Sequence, residues 1–219
     1  MSEQPLLVRQ LKLGTMDNFV YVIGDPVSRE AAVVDAAWDV EAILEEANRH
    51  GLRVTAALIT HRHPDHTSGV RELVKRTGAQ VYVGAEEMPH LKAWRLDAAG
   101  PSEEARLGNR AVRVLRTPGH TAGSQCYLVD GNLFTGDTLF VGACGRVAFG
   151  ECSAAQMLRS LREVLLPLPE DVVVWPGHDY DDTPFARLGD VKRRNRALQV
   201  EDVAEFERYV TGPRWPDEE

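Results

Sequence analysis

The segment Thr60-His61-Arg62-His63-Pro64-Asp65-His66 constrains this chain more than any other. It sets four metal-ligand side chains in six consecutive positions, directly after the apolar run from Val54 to Ile59. The chain has seven histidines, and three of them fall in this one hexapeptide. In a tight loop after a buried strand, His61 and His63 can converge on one ion. Pro64 limits the backbone there, and Asp65 and His66 can turn toward a second ion. Imidazole and carboxylate without thiolate suit zinc, iron or manganese.

Three later pieces repeat the placement, each with a ligand-type residue at the end of a predicted strand. They are Thr117-Pro118-Gly119-His120-Thr121, Thr135-Gly136-Asp137-Thr138 and Trp175-Pro176-Gly177-His178-Asp179-Tyr180. Strand ends on one edge of a sandwich lie close together, and the adjacent glycines let the backbone turn sharply and approach an ion. A glycine-histidine pair standing alone is more often a turn with a solvated imidazole. It is the hexapeptide together with all three loops that points to metal, and five of the seven histidines then share one task. The other two have ordinary explanations: His50 closes a helix, where positive charge is favourable, and His90 falls in a polar loop.

The runs Leu6–Leu13, Phe19–Ile23 and Ala31–Val34 predict a strand meander. Asp39 then caps a helix with Val40, Ile43, Leu44 and Ala47 on one face, ended by Gly51. After the histidine-rich segment, a helix near Val70, Leu73 and Val74 closes at Gly78. Strands at Gln80–Val83, Ala111–Leu115, Gln125–Val129 and Leu133–Thr135 follow, then a helix around Ala154–Val164, a strand at Val172–Trp175 and a mostly helical, charged tail over about 185–219. Many of these strands are too apolar to keep a wet face. The expected class is therefore α+β, an αββα sandwich of two mixed sheets packed face to face with helices outside. With 219 residues, 43% of them hydrophobic, and no low-complexity linker, one domain over 1–219 is expected.

Charge and cysteine usage exclude several classes. Lys and Arg number 25 against 33 Asp and Glu, and a net charge of −8 would repel a phosphate backbone, so nucleic acid is not an expected partner. Cys126, Cys144 and Cys152 are too few and too far apart for a disulfide framework or a cysteine zinc knuckle. Met1-Ser2-Glu3-Gln4-Pro5 lacks the basic and apolar pattern of a secretory signal, and no window is apolar enough to span a bilayer. A cytoplasmic setting, no membrane partner and a possible homodimer are expected.

The order H-x-H-x-D-H, G-H, G-D, G-H over about residues 6 to 200 resembles the metallo-β-lactamase fold, and within it the glyoxalase II (hydroxyacylglutathione hydrolase) and persulfide dioxygenase branch. Phe134-Thr135-Gly136-Asp137-Thr138-Leu139-Phe140 and Cys144-Gly145-Arg146 resemble glyoxalase II. Val22-Ile23-Gly24-Asp25, Ser28-Arg29-Glu30-Ala31, Pro176-Gly177-His178-Asp179-Tyr180 and Asn195-Arg196-Ala197-Leu198 look more like the dioxygenases. Both branches usually carry a proline soon after the aspartate matching Asp35, where this chain has Ala36-Ala37-Trp38. The segment Val147-Ala148-Phe149-Gly150 also differs from both. Glyoxalase II adds a C-terminal helical domain that helps bind glutathione. This chain ends before one, so a smaller or different thiol is expected as part of its small-molecule substrate.

The resemblance implies two zinc ions, or a mixture of zinc, iron and manganese. His61, His63 and His120 would hold one ion, Asp65, His66 and His178 the other, and Asp137 would lie between them. Asp65 and Asp137 are then the catalytic carboxylates. A metal-bound hydroxide would cleave a thioester, hydroxyacylglutathione-like, or a related ester. The alternative is one Fe(II) on His61, His120 and Asp137, a persulfide dioxygenase acting on glutathione persulfide. A scaffold or a nuclease of the same fold is disfavoured by the intact ligand set and by the acidic balance. Arg146 and Tyr180 are expected at the substrate. Asp35 is expected either to fix a histidine tautomer or to cap a helix or turn. Lys192-Arg193-Arg194 reads as a solvated helix face.

Overall fold

The computed structural model describes residues 4–93, 104–147 and 152–212. An antiparallel meander opens the chain, made of β1 (Leu7–Leu13), β2 (Asn18–Asp25) and β3 (Glu30–Val34), with Tyr21 opposite Val34. Every residue of β2 is buried, as a strand covered on both faces must be. Asp39 then caps α1 (Val40–Arg49), its carboxylate accepting a hydrogen bond from the Ala42 amide at 3.0 Å. Next, β4 (Arg53–Leu58) runs parallel to β3. It leads through α2 (Pro64–Thr67) and α3 (Val70–Thr77), which ends at left-handed Gly78, to β5 (Gln80–Tyr82) and α4 (Met88–Ala93). The first sheet has the order β1-β2-β3-β4-β5.

The second sheet is built from β6 (Glu104–Leu107), β7 (Arg110–Arg116), β8 (Gln125–Val129), β9 (Asn132–Gly136), β10 (Val173–Pro176) and β11 (Ala186–Arg187), in the order β11-β10-β9-β8-β7-β6. Only β9 and β10 pair in parallel. Their crossover carries α5 (Ala154–Arg159), which continues in a wider helical turn over Ser160–Leu165. After β11 come α6 (Leu188–Arg194) and α7 (Val203–Thr211).

Three apolar clusters make four layers. Between the sheets, Tyr21, Ile23 and Leu58 meet Leu107, Tyr127 and Phe134, with the Tyr21 ring edge-on to Phe134 at 5.1 Å. Outside the first sheet, Val22, Val33 and Ala57 pack with Ile43 of α1 and Leu73 of α3. Outside the second, Leu133 and Val174 pack with Met157, Leu161, Leu188 and Phe206. Each fully buried Val, Leu, Ile, Met or Phe among these contributes about 1.5–3 kcal/mol. This is the expected αββα sandwich, and among the described residues no helix is long and apolar enough to cross a membrane.

Several local expectations change. The 185–219 stretch begins as the edge strand β11 and then packs its helices into the core outside the second sheet. Its end, with Trp215, lies outside the described residues, as do Ala148, Phe149 and Gly150. The predicted loop around His90 is helix α4. Strand β6, whose Glu-Ala-Arg-Leu pattern alternates out and in over only four residues, is an addition to the sequence reading.

Candidate metal centre

The centre stands where the parallel strands β4, β9 and β10 end. The two sheets are stitched together at that edge: the Gln125 amide donates to Thr60 O at 2.9 Å, and the Phe19 amide donates to Gly177 O at 2.8 Å. The expected tight loop after β4 is partly helical. Pro64 takes the first position of α2, where its fixed φ suits the helix and its missing N–H costs no bond, so Asp65 and His66 project from a helix. A register shift between Trp175 and Pro176 sets Pro176 opposite Gly136 as the last β9–β10 pair, and Asp137 and His178 follow, 3.5 Å apart at Oδ2 and Nε2. Gly136 makes this possible: its φ is +49°, and a side chain there would strike Thr60.

The structure brings all seven sequence-predicted ligands together. Nδ1 of His63 lies 3.1 Å from Nε2 of His61 and 3.0 Å from Nε2 of His120. On the other side, Nε2 of His66 and Nε2 of His178 are 3.1 Å apart. Asp65 Oδ2 lies 3.3 Å and 3.4 Å from those two nitrogens. Asp137 stands between the groups, with Oδ2 3.6 Å from His120 Nε2 and 3.5 Å from His178 Nε2, and Oδ1 3.4 Å from His66 Nε2. The triplets His61, His63, His120 and Asp65, His66, His178 each gather their ligand atoms within 4.8 Å.

What faces the centre is lone pairs, because the remote ring nitrogens face oxygen acceptors. Nδ1 of His66 meets Asp35 Oδ2 at 2.9 Å, Nδ1 of His120 meets Arg146 O at 2.8 Å, and Nδ1 of His178 meets Met16 O at 2.8 Å. Nδ1 of His61 is 3.0 Å from Thr60 Oγ1, which itself donates to Asp35 Oδ2 at 2.7 Å. With those N–H groups pointing outward, the inward nitrogens are acceptors held at mutual distances only a shared cation makes favourable. Asp137 Oδ1 is buried with no hydrogen-bond partner, a costly state for a carboxylate unless a cation meets it. The donor set therefore fits metal, and the chain is metal-binding.

In the metal-free chain the titration of these groups follows the same geometry, and an ion binding there would displace the protons of His66 and His178. Burial, and then the nearby charge of His66, pushes His61 well below the usual imidazole range; burial and His120 push His63 down to about 4. Burial also opposes charge on His178 and His66, but Asp137 outweighs it, raising His178 to about 9 and His66 well above its ordinary value. Burial likewise pushes up Asp65 and Asp137, yet His178 and His66 hold both far below the usual carboxylate range.

Asp35 faces His66 Nδ1 and accepts from the Thr60 amide at 2.8 Å, while the cap of α1 is Asp39. Tyr180 stacks on the His178 ring, 4.5 Å away and 7° from parallel. Burial and then the charge of Asp137 raise its phenol well above the ordinary value, while the charge of Arg146 acts in the opposite sense. The Arg146 side chain is exposed. Lys192, Arg193 and Arg194 bond to Leu168 O, Asp190 and Thr183, away from the centre. His50 closes α1 beside Glu46, as expected.

Sequence reasoning missed four supporting groups. Asn18 donates to Asp65 Oδ2 at 2.9 Å, and Trp38 donates to Asn18 Oδ1 at 3.1 Å. Thr60 couples Asp35 to His61. Glu87, fully buried, accepts from Thr121 and from the Gly123 amide and pairs with Arg62 at 3.1 Å, tying the His120 loop to the histidine-rich segment. None of these carries a distinctive sequence signal: Glu87 stands next to a second acid, Glu86, and Asn18 follows Asp17 at a turn.

A family model described as the metallo-beta-lactamase superfamily matches residues 13–178. A probable polyketide biosynthesis zinc-dependent hydrolase of Bacillus subtilis is 33% identical over 196 residues, which make up 89% of this chain and 87% of that protein. The hydroxyacylglutathione hydrolase of Shewanella oneidensis is 39% identical over 184 residues, 80% of this chain and 67% of that protein. Among solved structures, ETHE1 from Myxococcus xanthus superposes with a TM-score of 0.83 at 32% identity, covering 93% of this chain and 89% of that one.

Proposed function

This chain belongs to the metallo-beta-lactamase superfamily, in the branch that includes hydroxyacylglutathione hydrolase, and from that premise we propose that it hydrolyses a thioester, or a related ester, of a small thiol. The observation that carries the reading is Asp137 standing between two complete ligand groups, with Oδ2 near both His120 and His178 and Oδ1 near His66. His61, His63 and His120 would hold one ion, and Asp65, His66 and His178 a second. Zinc suits both sets. When bound, such ions supply an acidified water and polarise a carbonyl.

The chain's own residues do the rest. Outward N–H groups on His61, His66, His120 and His178 keep the inward nitrogens aimed at one place, so the centre needs no rearrangement as charge develops. The phenol of Tyr180 stays protonated through neutral pH, and from its stacked position on His178 it donates a hydrogen bond to the reacting carbonyl oxygen or the departing sulfur. A thiolate leaves without needing a proton, since a thiol pKa lies near ~8.5. That suits a centre whose imidazole N–H groups are already committed. Arg146, exposed and with its carbonyl against His120, offers a planar fork for a substrate carboxylate.

A second reading is favoured by the segments that resemble persulfide dioxygenases, Pro176-Gly177-His178-Asp179-Tyr180 among them. There a single Fe(II) would sit on His61, His120 and Asp137, and glutathione persulfide would be oxidised. Two assays on the purified protein separate the readings: hydrolysis of a panel of acyl thioesters, and oxygen uptake with glutathione persulfide. Thioester hydrolysis without oxygen uptake supports the first; oxygen uptake without hydrolysis refutes it.

A further inference from the structure

Trp38, three residues after Asp35, holds an unusual backbone conformation, and its indole reaches Asp65 through Asn18. Its φ is +62°, in the left-handed region that bulky residues avoid. The Trp38 amide donates to Ser68 Oγ at 3.0 Å, fixing that turn to the end of α2. The indole lies against Gly14 in the β1–β2 turn, where any side chain would strike the ring. From this seat Nε1–H donates to Asn18 Oδ1 at 3.1 Å, and Asn18 Nδ2 donates to Asp65 Oδ2 at 2.9 Å.

We propose that Trp38 is a positioning residue for Asp65, acting through the orientation of the Asn18 amide. An asparagine amide can sit either way round, and beside a carboxylate one way attracts while the other places oxygen against oxygen. The indole nitrogen is a donor only, so it pins the Asn18 oxygen on its own side and leaves the NH2 for Asp65. Asn18 is buried, with 1% of its surface exposed, and it forms a bridge to His178, so it stands beside two members of the same group. The Asp65 oxygen it holds is the one that faces His66 and His178. A partner of this kind aligns a ligand in advance, and its loss ordinarily costs ~10–100-fold in metal affinity.

The inference rests on reading Asp65, His66 and His178 as a metal-holding group. It is tested by zinc competition titration with a chromophoric chelator, which reads binding and not activity. Trp38→Phe keeps a ring against Gly14 and removes the N–H. It should weaken one of two zinc equivalents by ~10-fold or more and leave the other within about twofold. Asn18→Ala, which leaves the indole seated, should weaken the same equivalent, so the test survives if Trp38→Phe does not fold. Two zinc equivalents in the wild type with unchanged affinities in a folded variant overturn the role of Trp38 and Asn18 alone. A wild-type chain that binds only one equivalent overturns the metal reading of this group, and the proposal with it.

Discussion

Asp35 and His66 are joined by a 2.9 Å hydrogen bond between Oδ2 and Nδ1, and the same oxygen accepts from Thr60 Oγ1 at 2.7 Å. Since Thr60 in turn meets His61 Nδ1, one carboxylate orients an imidazole in each ligand group. Its φ of +53° is one that aspartate and asparagine tolerate better than most residues. Asp35→Asn therefore keeps the backbone and removes the charge. It should lower the affinity of both zinc equivalents by ~10–100-fold, whereas Thr60→Val should affect chiefly the equivalent held by His61. Titration in which Asp35→Asn weakens a single equivalent would contradict this coupling.

A group remote from the centre, Asp25, also contributes to acid stability. Asp25 is 1% exposed and ties the β2–β3 turn to the β6–β7 turn through Arg110, 3.2 Å away, and the Asn109 amide. Burial pushes its carboxyl up, but hydrogen bonds from Ser28, Val27, Asn109 and Arg110 overcome this and hold it at about 2. A folded pKa below the ordinary value means the unfolded chain takes up its proton first. The stabilisation is therefore complete above about pH 4 and is lost as pH falls toward about 2. Asp25→Asn should cost about 1–3 kcal/mol at neutral pH. Urea unfolding of the chelator-treated protein should show the gap to the wild type closing between about pH 4 and 2. A gap independent of pH would contradict the assignment.

Tyr180 separates binding of metal from chemistry. If its phenol donates to the reacting oxygen or the leaving sulfur, Tyr180→Phe should lower kcat about tenfold, one hydrogen bond's worth, with KM changed little. Metal content should stay that of the wild type. Steady-state kinetics beside elemental analysis checks both, and lost metal would show that the phenol supports His178 instead.

Much of this was legible in the sequence, for a reason that also marks where legibility stopped. The ligands could be read because metal chemistry demands particular side chains, and because His61, His120, Asp137 and His178 each follow an apolar run that ends a strand. The meander, the Asp39 cap and the Gly78 stop could be read because local rules decide them. What orients the ligands was hidden. The acceptors for His120 and His178 are the carbonyls of Arg146 and Met16, and a carbonyl carries no residue signature. Asn18 and Trp38 are twenty positions apart and meet only through the strand pairing that folds β1 and β2 beside β3. The helix at Pro64–Thr67 was read as a loop because proline marks a turn and a helix start equally well.

The account depends most directly on Asp137 standing between two ion-holding groups. Elemental analysis of the purified wild-type protein and of Asp137→Ala tests it. Two metal equivalents per chain in the wild type, falling to one or fewer in the variant, is the predicted result. No bound metal in the wild type, or a metal content that the substitution leaves unchanged, would contradict it.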